Sequence, residues 1–157
     1  MLKLNSKALN FSAQDQFGKT QTLSEQKGKW IVLYFYPKDD TPGCTKEACN
    51  FRDSNQAIIN MGVVIWGVSK DTVTSHKKFA DKYHLNFPLL ADPEKQIIEK
   101  YQAWGTKKFM GKEFSGTLRI TYLIDPKGMI KKVYEKVNPL FHAGEIINEM
   151  KRLEIVT

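Results

Sequence analysis

Apolar residues fall into short runs separated by polar, helix-periodic stretches. Trp30-Ile31-Val32-Leu33-Tyr34-Phe35-Tyr36 is aromatic and β-branched without alternation, the pattern of a strand covered on both faces, and Pro37 ends it. Thr41 followed by Pro42 reads as an N-cap and a proline at the first helical position, opening a helix that runs to about Asn60. A second buried strand follows at Val63–Val68. Residues 72–84 carry Val73, Phe79, Ala80 and Tyr83 at helical spacing, and Phe87–Ala91 reads as a short strand with Pro88 at its start. Pro93 is expected to begin the next helix, covering Ile97 to Tyr101, with Trp104-Gly105 closing it. Leu118–Ile124 and Met129–Val137 flank Asp125-Pro126-Lys127-Gly128, a strong turn signal, and are expected to form an antiparallel hairpin. His142–Leu153 has Ile146, Ile147 and Met150 at helical spacing. Near the start, Phe11–Leu23 alternates around Asp15-Gln16-Phe17-Gly18, as a small hairpin would.

This alternation of strands and helices, closed by a hairpin and a last helix, predicts an α/β fold: a mixed central sheet with helices on both faces and an N-terminal hairpin extension. No repeat, low-complexity tract or linker divides the chain, so residues 1–157 are expected to form one domain. Trp66, Trp104 and the phenylalanines are expected in the core.

Composition narrows the function classes. Hydrophobic residues make up 41% and charged residues 26%, ordinary globular usage that excludes a wholly disordered chain. The 24 Lys and Arg against 17 Asp and Glu give +7, but the lysines are scattered and no block of five like charges appears. Solvated faces are the simpler reading than a nucleic-acid interface. The longest apolar run, Trp30–Tyr36, is far short of the ~20 residues that span a bilayer, and Met1–Lys7 lacks a signal-peptide core. The cytoplasm is the expected compartment, with no membrane partner. In a reducing compartment a lone cysteine pair, Cys44 and Cys49, points to catalysis or redox sensing more than stapling.

The informative stretch is Pro37-Lys38-Asp39-Asp40-Thr41-Pro42-Gly43-Cys44-Thr45-Lys46-Glu47-Ala48-Cys49, at the carboxyl edge of the sheet where α/β folds place ligands. With Thr41 as N-cap, Cys44 falls at N3, where the helix's positive end and free N–H groups stabilise a thiolate. That stabilisation alone achieves little. Were it to raise the thiolate fraction about thirtyfold, a Brønsted slope of ~0.45 would take back about 13-fold in nucleophilicity, leaving roughly twofold. A fast thiol enzyme also needs placed donors at the transition state. Thr41, backbone N–H groups near Cys44 and one arginine are the candidates.

Pro37-x-x-x-Thr41-x-x-Cys44 resembles the active-site signature of the peroxiredoxins, and the run Thr41 to Cys49 resembles their Q-type branch, the bacterioferritin comigratory proteins. The likeness continues through Gly67-Val68-Ser69, His76-Lys77-Lys78-Phe79, Phe87-Pro88-Leu89-Leu90-Ala91-Asp92, Trp104-Gly105 and Arg119-Ile120-Thr121-Tyr122-Leu123-Ile124-Asp125. It implies a thioredoxin-like fold, which the element order also fits, and reduction of hydrogen peroxide and organic hydroperoxides. By resemblance Cys44 is the peroxidatic cysteine that becomes a sulfenic acid, and Arg119 supports its thiolate and polarises the peroxide. The Thr41 hydroxyl contacts sulfur and substrate, and Pro37 shields the pocket. Cys49 is the resolving cysteine that forms an intramolecular disulfide with Cys44, recycled by thioredoxin or a similar dithiol. Glu47 fits the signature with a supporting polar role. No metal, haem or flavin is implied, and a monomer is expected, with a weak dimer as the alternative.

Geometry adds a constraint. Five residues along an ideal helix separate Cα atoms by about 8.7 Å, whereas a disulfide needs roughly 4.4–6.8 Å. The pair cannot bond while both remain helical, so oxidation is expected to unwind residues 44–49. A zinc site is disfavoured because Cys-x4-Cys lacks a second ligand pair. His76, His84 and His142 read as surface or satisfied structural residues. Phe109-Met110-Gly111-Lys112 is expected in a loop near the pocket mouth, where it would contact organic peroxides. Two other readings stand beside the peroxidase: a dithiol–disulfide exchange protein, disfavoured because Cys-x-x-Cys is absent, and a basic nucleic-acid-binding module.

Overall fold

The computed structural model describes residues 1–153. A central sheet carries five strands in the order β5-β4-β3-β8-β9. The N-terminal hairpin is β1 (Ser12–Gln14) and β2 (Thr20–Thr22), followed by β3 (Trp30–Phe35) and α1 (Pro42–Asn60). Then come β4 (Val63–Ser69), α2 (Val73–Tyr83), β5 (Leu89–Ala91) and α3 (Gln96–Lys100). A second hairpin, β6 (Trp104–Phe109) and β7 (Lys112–Thr117), precedes β8 (Thr121–Ile124), β9 (Ile130–Tyr134) and α4 (His142–Arg152).

Strand β3 is the central one because it is apolar on both faces. Val32, Tyr34 and Tyr36 point into a cluster with Phe51 and Ile58 of α1, Phe79 of α2 and Ile146 of α4. The alternate residues Ile31, Leu33 and Phe35 meet Phe11, Leu23, Ile98 and Tyr101 on the opposite face. The strand's unbroken apolar run follows from this two-sided burial. β3 pairs parallel with β4, from Trp30↔Val63 to Phe35↔Val68, and antiparallel with β8. Gly67 is required where the two strands meet the α1 side: a Cβ there would lie 2.8 Å from Cζ of Tyr34. The buried Gln16 side chain donates to Phe87 O at 3.0 Å and accepts from Leu89 N at 2.9 Å, tying the first hairpin to edge strand β5.

Three expectations are corrected. α3 starts at Gln96 rather than Pro93: Pro93 and Glu94 lie in a turn closed by Lys95 N donating to Asp92 O, with Lys95 at φ 61°. Trp104-Gly105 does not close that helix but opens β6; Gln102, at φ 56°, has already ended it. The supposed loop 109–112 is the tip of the β6–β7 hairpin, turning on Met110 and Gly111, both at positive φ. That hairpin escaped the hydrophobic pattern because both its faces are largely solvated. The core expectation holds for Trp66, Phe11, Phe35, Phe51, Phe79 and Phe87 and fails for Phe17, Phe109, Phe114 and Phe141, which are exposed; Trp104 is half-buried, with Lys95 Nζ 4.2 Å from its ring centre.

Candidate active site

The chain leaves β3 at its carboxyl end and reaches α1 after six residues, 36–41. Thr41 is the N-cap residue, extended at φ −102°, and its carbonyl accepts from Thr45 N at 2.8 Å. Its hydroxyl does not cap the helix; it donates to Lys38 O at 2.8 Å, which leaves its oxygen lone pairs as the group available to a neighbour. Pro42 takes the first helical position, so Cys44 stands in the first turn, with only 2% of its surface exposed. Pro37 is half-buried at the start of the loop.

The arginine arrives from the other side of β3. Antiparallel pairing sets Thr121 opposite Tyr34, and Phe35 N donates to Ile120 O at 2.8 Å, so Arg119 emerges beside the end of β3. Its Nη2 donates to Cys44 Sγ at 3.4 Å and its Nη1 to Glu47 Oε1 at 2.7 Å. Cys44 and Glu47 are one turn apart on one face of α1, which lets one guanidinium span both. Gly43 makes the approach possible: a Cβ there would lie 3.2 Å from Arg119 Nη2.

Glu47 is fully buried, and its Oε2 has no hydrogen-bond partner among the described residues. Burial lifts its carboxyl from 4.5 to about 7, against the opposing pull of Arg119. Burial works against the charge on Arg119, but Glu47 and Cys44 together outweigh it and hold the guanidinium above its usual value. Lys107, on β6, is pushed below the ordinary lysine range by burial and then by Arg119, with Cys44 acting the other way. Sequence reasoning left Lys107 among the scattered surface lysines, since the strand that carries it had not been read.

A buried polar network fixes the loop. Asp39 Oδ1 accepts from the Tyr36 hydroxyl at 2.6 Å; Oδ2 accepts from Ser75 Oγ at 2.8 Å and lies 2.7 Å from His76 Nδ1. The backbone N–H of Asp39 donates to Asp71 Oδ2 at 2.9 Å, and His76 Nε2 lies 3.0 Å from Leu90 O. His76 and His142, which lies 2.8 Å from Thr121 Oγ1, are satisfied structural residues, while His84 is exposed. Asp39, Asp71 and His76 bring three donor atoms within 4.8 Å of one another, close enough to share a cation, but their hydrogen bonds to each other and to Tyr36, Ser69 and Ser75 already employ those atoms.

Cys49 is half-buried on the same unbroken helix as Cys44, and both thiols are free. The guanidinium of Arg52 donates to the Cys49 sulfur at 3.5 Å, a partner the sequence did not suggest. One cavity, about 260 Å³ and lined by Lys7, Ala8, Leu23, Ile31, Ile124 and Lys127 among others, lies at the opposite end of β3 and holds neither thiol. Among the described residues, no helix is long and apolar enough to cross a membrane.

A buried thiol at a helix start, held by an arginine that is itself held by a buried glutamate, is an arrangement for generating and using a thiolate. The AhpC/TSA family matches residues 4–133. Peroxiredoxin Bcp of Bacillus subtilis is 44% identical over 150 residues, 96% of each chain. The bacterioferritin comigratory protein of Xanthomonas campestris, solved as trapped intermediate and ligand complexes bearing on its alkyl peroxide reduction, is similar at TM-score 0.85 and 33% identity over 91% of both chains. A cysteine-to-serine mutant of Xylella fastidiosa PrxQ matches at TM-score 0.92 and 29% identity over 98% of both. With the thioredoxin-like architecture and the thiol–arginine–glutamate arrangement, these likenesses establish that the chain belongs to the AhpC/TSA family, as a peroxiredoxin of the Bcp/PrxQ branch.

Proposed function

We propose that this chain, a thiol peroxidase by its family, attacks peroxides with Cys44 and resolves the product with Cys49. The single observation that carries the reading is Arg119 bridging the Cys44 sulfur at 3.4 Å and Glu47 at 2.7 Å, at the first turn of α1. The Cys44 thiolate attacks one peroxide oxygen; the S–O bond forms, the O–O bond breaks, and the other oxygen leaves as hydroxide or alkoxide, taking a proton to depart as water or alcohol. Arg119 and the free N–H groups of the helix start stabilise the charge that develops. Thr41 offers its oxygen lone pairs to the incoming hydroperoxide, and Pro37 walls the pocket. Cys49 then condenses with the Cys44 sulfenic acid, and an external dithiol, thioredoxin on this reading, reduces the disulfide.

The substrates are hydrogen peroxide and organic hydroperoxides, and the chain works as one monomeric domain spanning 1–157. Starting each cycle from two thiols suits a reducing compartment, the cytoplasm. Nucleic acid has no place in the reading: Lys77, Lys82 and Lys108 each pair with a carboxylate. Peroxide titration with mass analysis tests the assignment. Cys44→Ser should consume no peroxide; Cys49→Ser should form one sulfenate per chain and fail to turn over with thioredoxin. Undiminished turnover in Cys44→Ser would sink it.

A further inference from the structure

Arg52 Nη1 donates to Tyr83 O at 2.7 Å and to Cys49 Sγ at 3.5 Å, while Nε and Nη2 each lie 2.9 Å from Asp53 Oδ1. The simplest account is a tether, since Tyr83 ends α2 and its carbonyl is one that a helix leaves unpaired. That account makes no use of the contact from Nη1 to the Cys49 sulfur.

We propose that Arg52 is a catalytic residue of the resolving step: its guanidinium holds Cys49 in the thiolate form that attacks the Cys44 sulfenic acid. The proposal rests on the reading of Cys49 as the resolving cysteine. In this step the Cys49 thiolate bonds to the Cys44 sulfur, the S–O bond breaks, and hydroxide leaves, taking a proton from solvent to become water. The sulfenic acid supplies the oxidising equivalents and no other oxidant enters.

The contact has to outlast the unwinding that brings the two sulfurs together. From Asn50 onward α1 is pinned by side chains. Asn50 Oδ1 accepts from Ala143 N at 2.9 Å, Arg52 donates to Tyr83 O, and Asn55 Nδ2 donates to Asn86 O at 2.9 Å. Cys49 is the first residue outside that pinned segment, so it stays within reach of Arg52 while residues before it open. Other charged and titratable groups near this contact are Lys46, one turn before Cys49 on α1, and Asp53, Lys82, Tyr83 and His84, with Asp40 bound to both Lys82 and Tyr83. Asp40 offsets Lys82, and Asp53 offsets part of Arg52, so the expected effect is moderate.

Suppose the guanidinium raises the thiolate fraction about eightfold near neutral pH; a Brønsted slope of ~0.45 takes back about threefold, and the net gain is about threefold. Well above the thiol range the fraction is saturated and only the loss of nucleophilicity remains. Removing the charge then speeds the step. Arg52→Gln keeps an amide donor for Tyr83 O and discards the charge. Disulfide formation after a one-equivalent peroxide pulse, followed by acid quench and mass analysis, should be about threefold slower than wild type near pH 7 and about threefold faster above about pH 9.5. Arg52→Lys, which keeps a cation, should lie closer to wild type at neutral pH. In a Cys44→Ser background, the ultraviolet thiolate signal of Cys49 should rise at higher pH once Arg52→Gln is added. Slowing by one factor at every pH would make Arg52 a tether only and overturn the proposal, as would equal rates or an unmoved thiolate signal. A wild type that forms no Cys44–Cys49 disulfide would instead overturn the role given to Cys49, and this proposal with it.

Discussion

His76 Nδ1 stands 2.7 Å from Asp39 Oδ2, and neither residue is appreciably exposed. The pair joins the loop before Cys44 to helix α2 and, through Leu90 O, to edge strand β5. Removing one partner leaves the other short of a buried hydrogen bond, at a cost of about 1–3 kcal/mol. His76→Phe should therefore lower unfolding free energy by that amount, and Asp39→Asn should cost less when made on top of it. A denaturant double-mutant cycle checks this; strictly additive losses would mean that the two side chains are not coupled.

Glu47 predicts a pH dependence of stability. Its carboxyl titrates at about 7 in the folded chain and near the ordinary 4.5 in the unfolded one. Between those values the folded state keeps a proton that the unfolded state has released, so stability falls as pH rises through that window. The whole fall is on the order of 3 kcal/mol for this fully buried group. Glu47→Gln should flatten it. Urea unfolding at about pH 5 and pH 8 makes the comparison, and equal slopes in variant and wild type would contradict the account.

Gly43→Ala should move stability and activity in opposite directions. Alanine is the better helix former by roughly 0.8–1 kcal/mol, yet its methyl would press on the Arg119 nitrogen that serves Cys44, at 3.2 Å. A well-placed donor is worth about 10²–10³ in rate, so a displacement of a few tenths of an ångström should slow the peroxide step by several-fold. Stopped-flow rates and thermal melts on the same preparation read both effects. Unchanged peroxide kinetics would show that the guanidinium adapts freely.

Oxidation should unwind α1 over a defined stretch. The first N–H groups of any helix exchange readily, so the informative amides are those of residues 45–49. Their hydrogen exchange should accelerate at least tenfold in the disulfide form, while amides beyond Arg52 keep their protection because Asn50, Arg52 and Asn55 hold that segment. Equal protection of 45–49 in both redox states would contradict the geometry.

The elements that sequence made legible are those whose burial is simple. The unbroken apolar run at Trp30 marks β3 because both faces are covered, and Thr41-Pro42 marks the start of α1 within a residue. The β6–β7 hairpin was not legible, since Lys107, Lys108, Lys112 and Glu113 give it no apolar face, and Lys107 was lost with it as a neighbour of the site. Cys44 was singled out by its place in the first turn after Thr41-Pro42, and Arg119 only by likeness to a family. What no local pattern carries is pairing across long separations. Glu47 reads as one more helix polar residue until Arg119 meets it, and Asp39 reads as an ordinary loop acid until His76 does. The bond from Arg52 to Cys49 is local, but an arginine one turn away is too common on helices to single out.

The side chains that fix α1 from Asn50 onward have one more effect. A helix presents its positive pole and its unpaired amides at its front end. In the dithiol form that pole sits at Pro42 and Gly43, next to the Cys44 sulfur. Opening of the first two turns, the outcome expected on oxidation, would leave a helix that begins beside Cys49 and would hand the pole to that second sulfur. On the roles proposed for the two cysteines, a single helix that shortens from its front would assist both half-reactions electrostatically in turn.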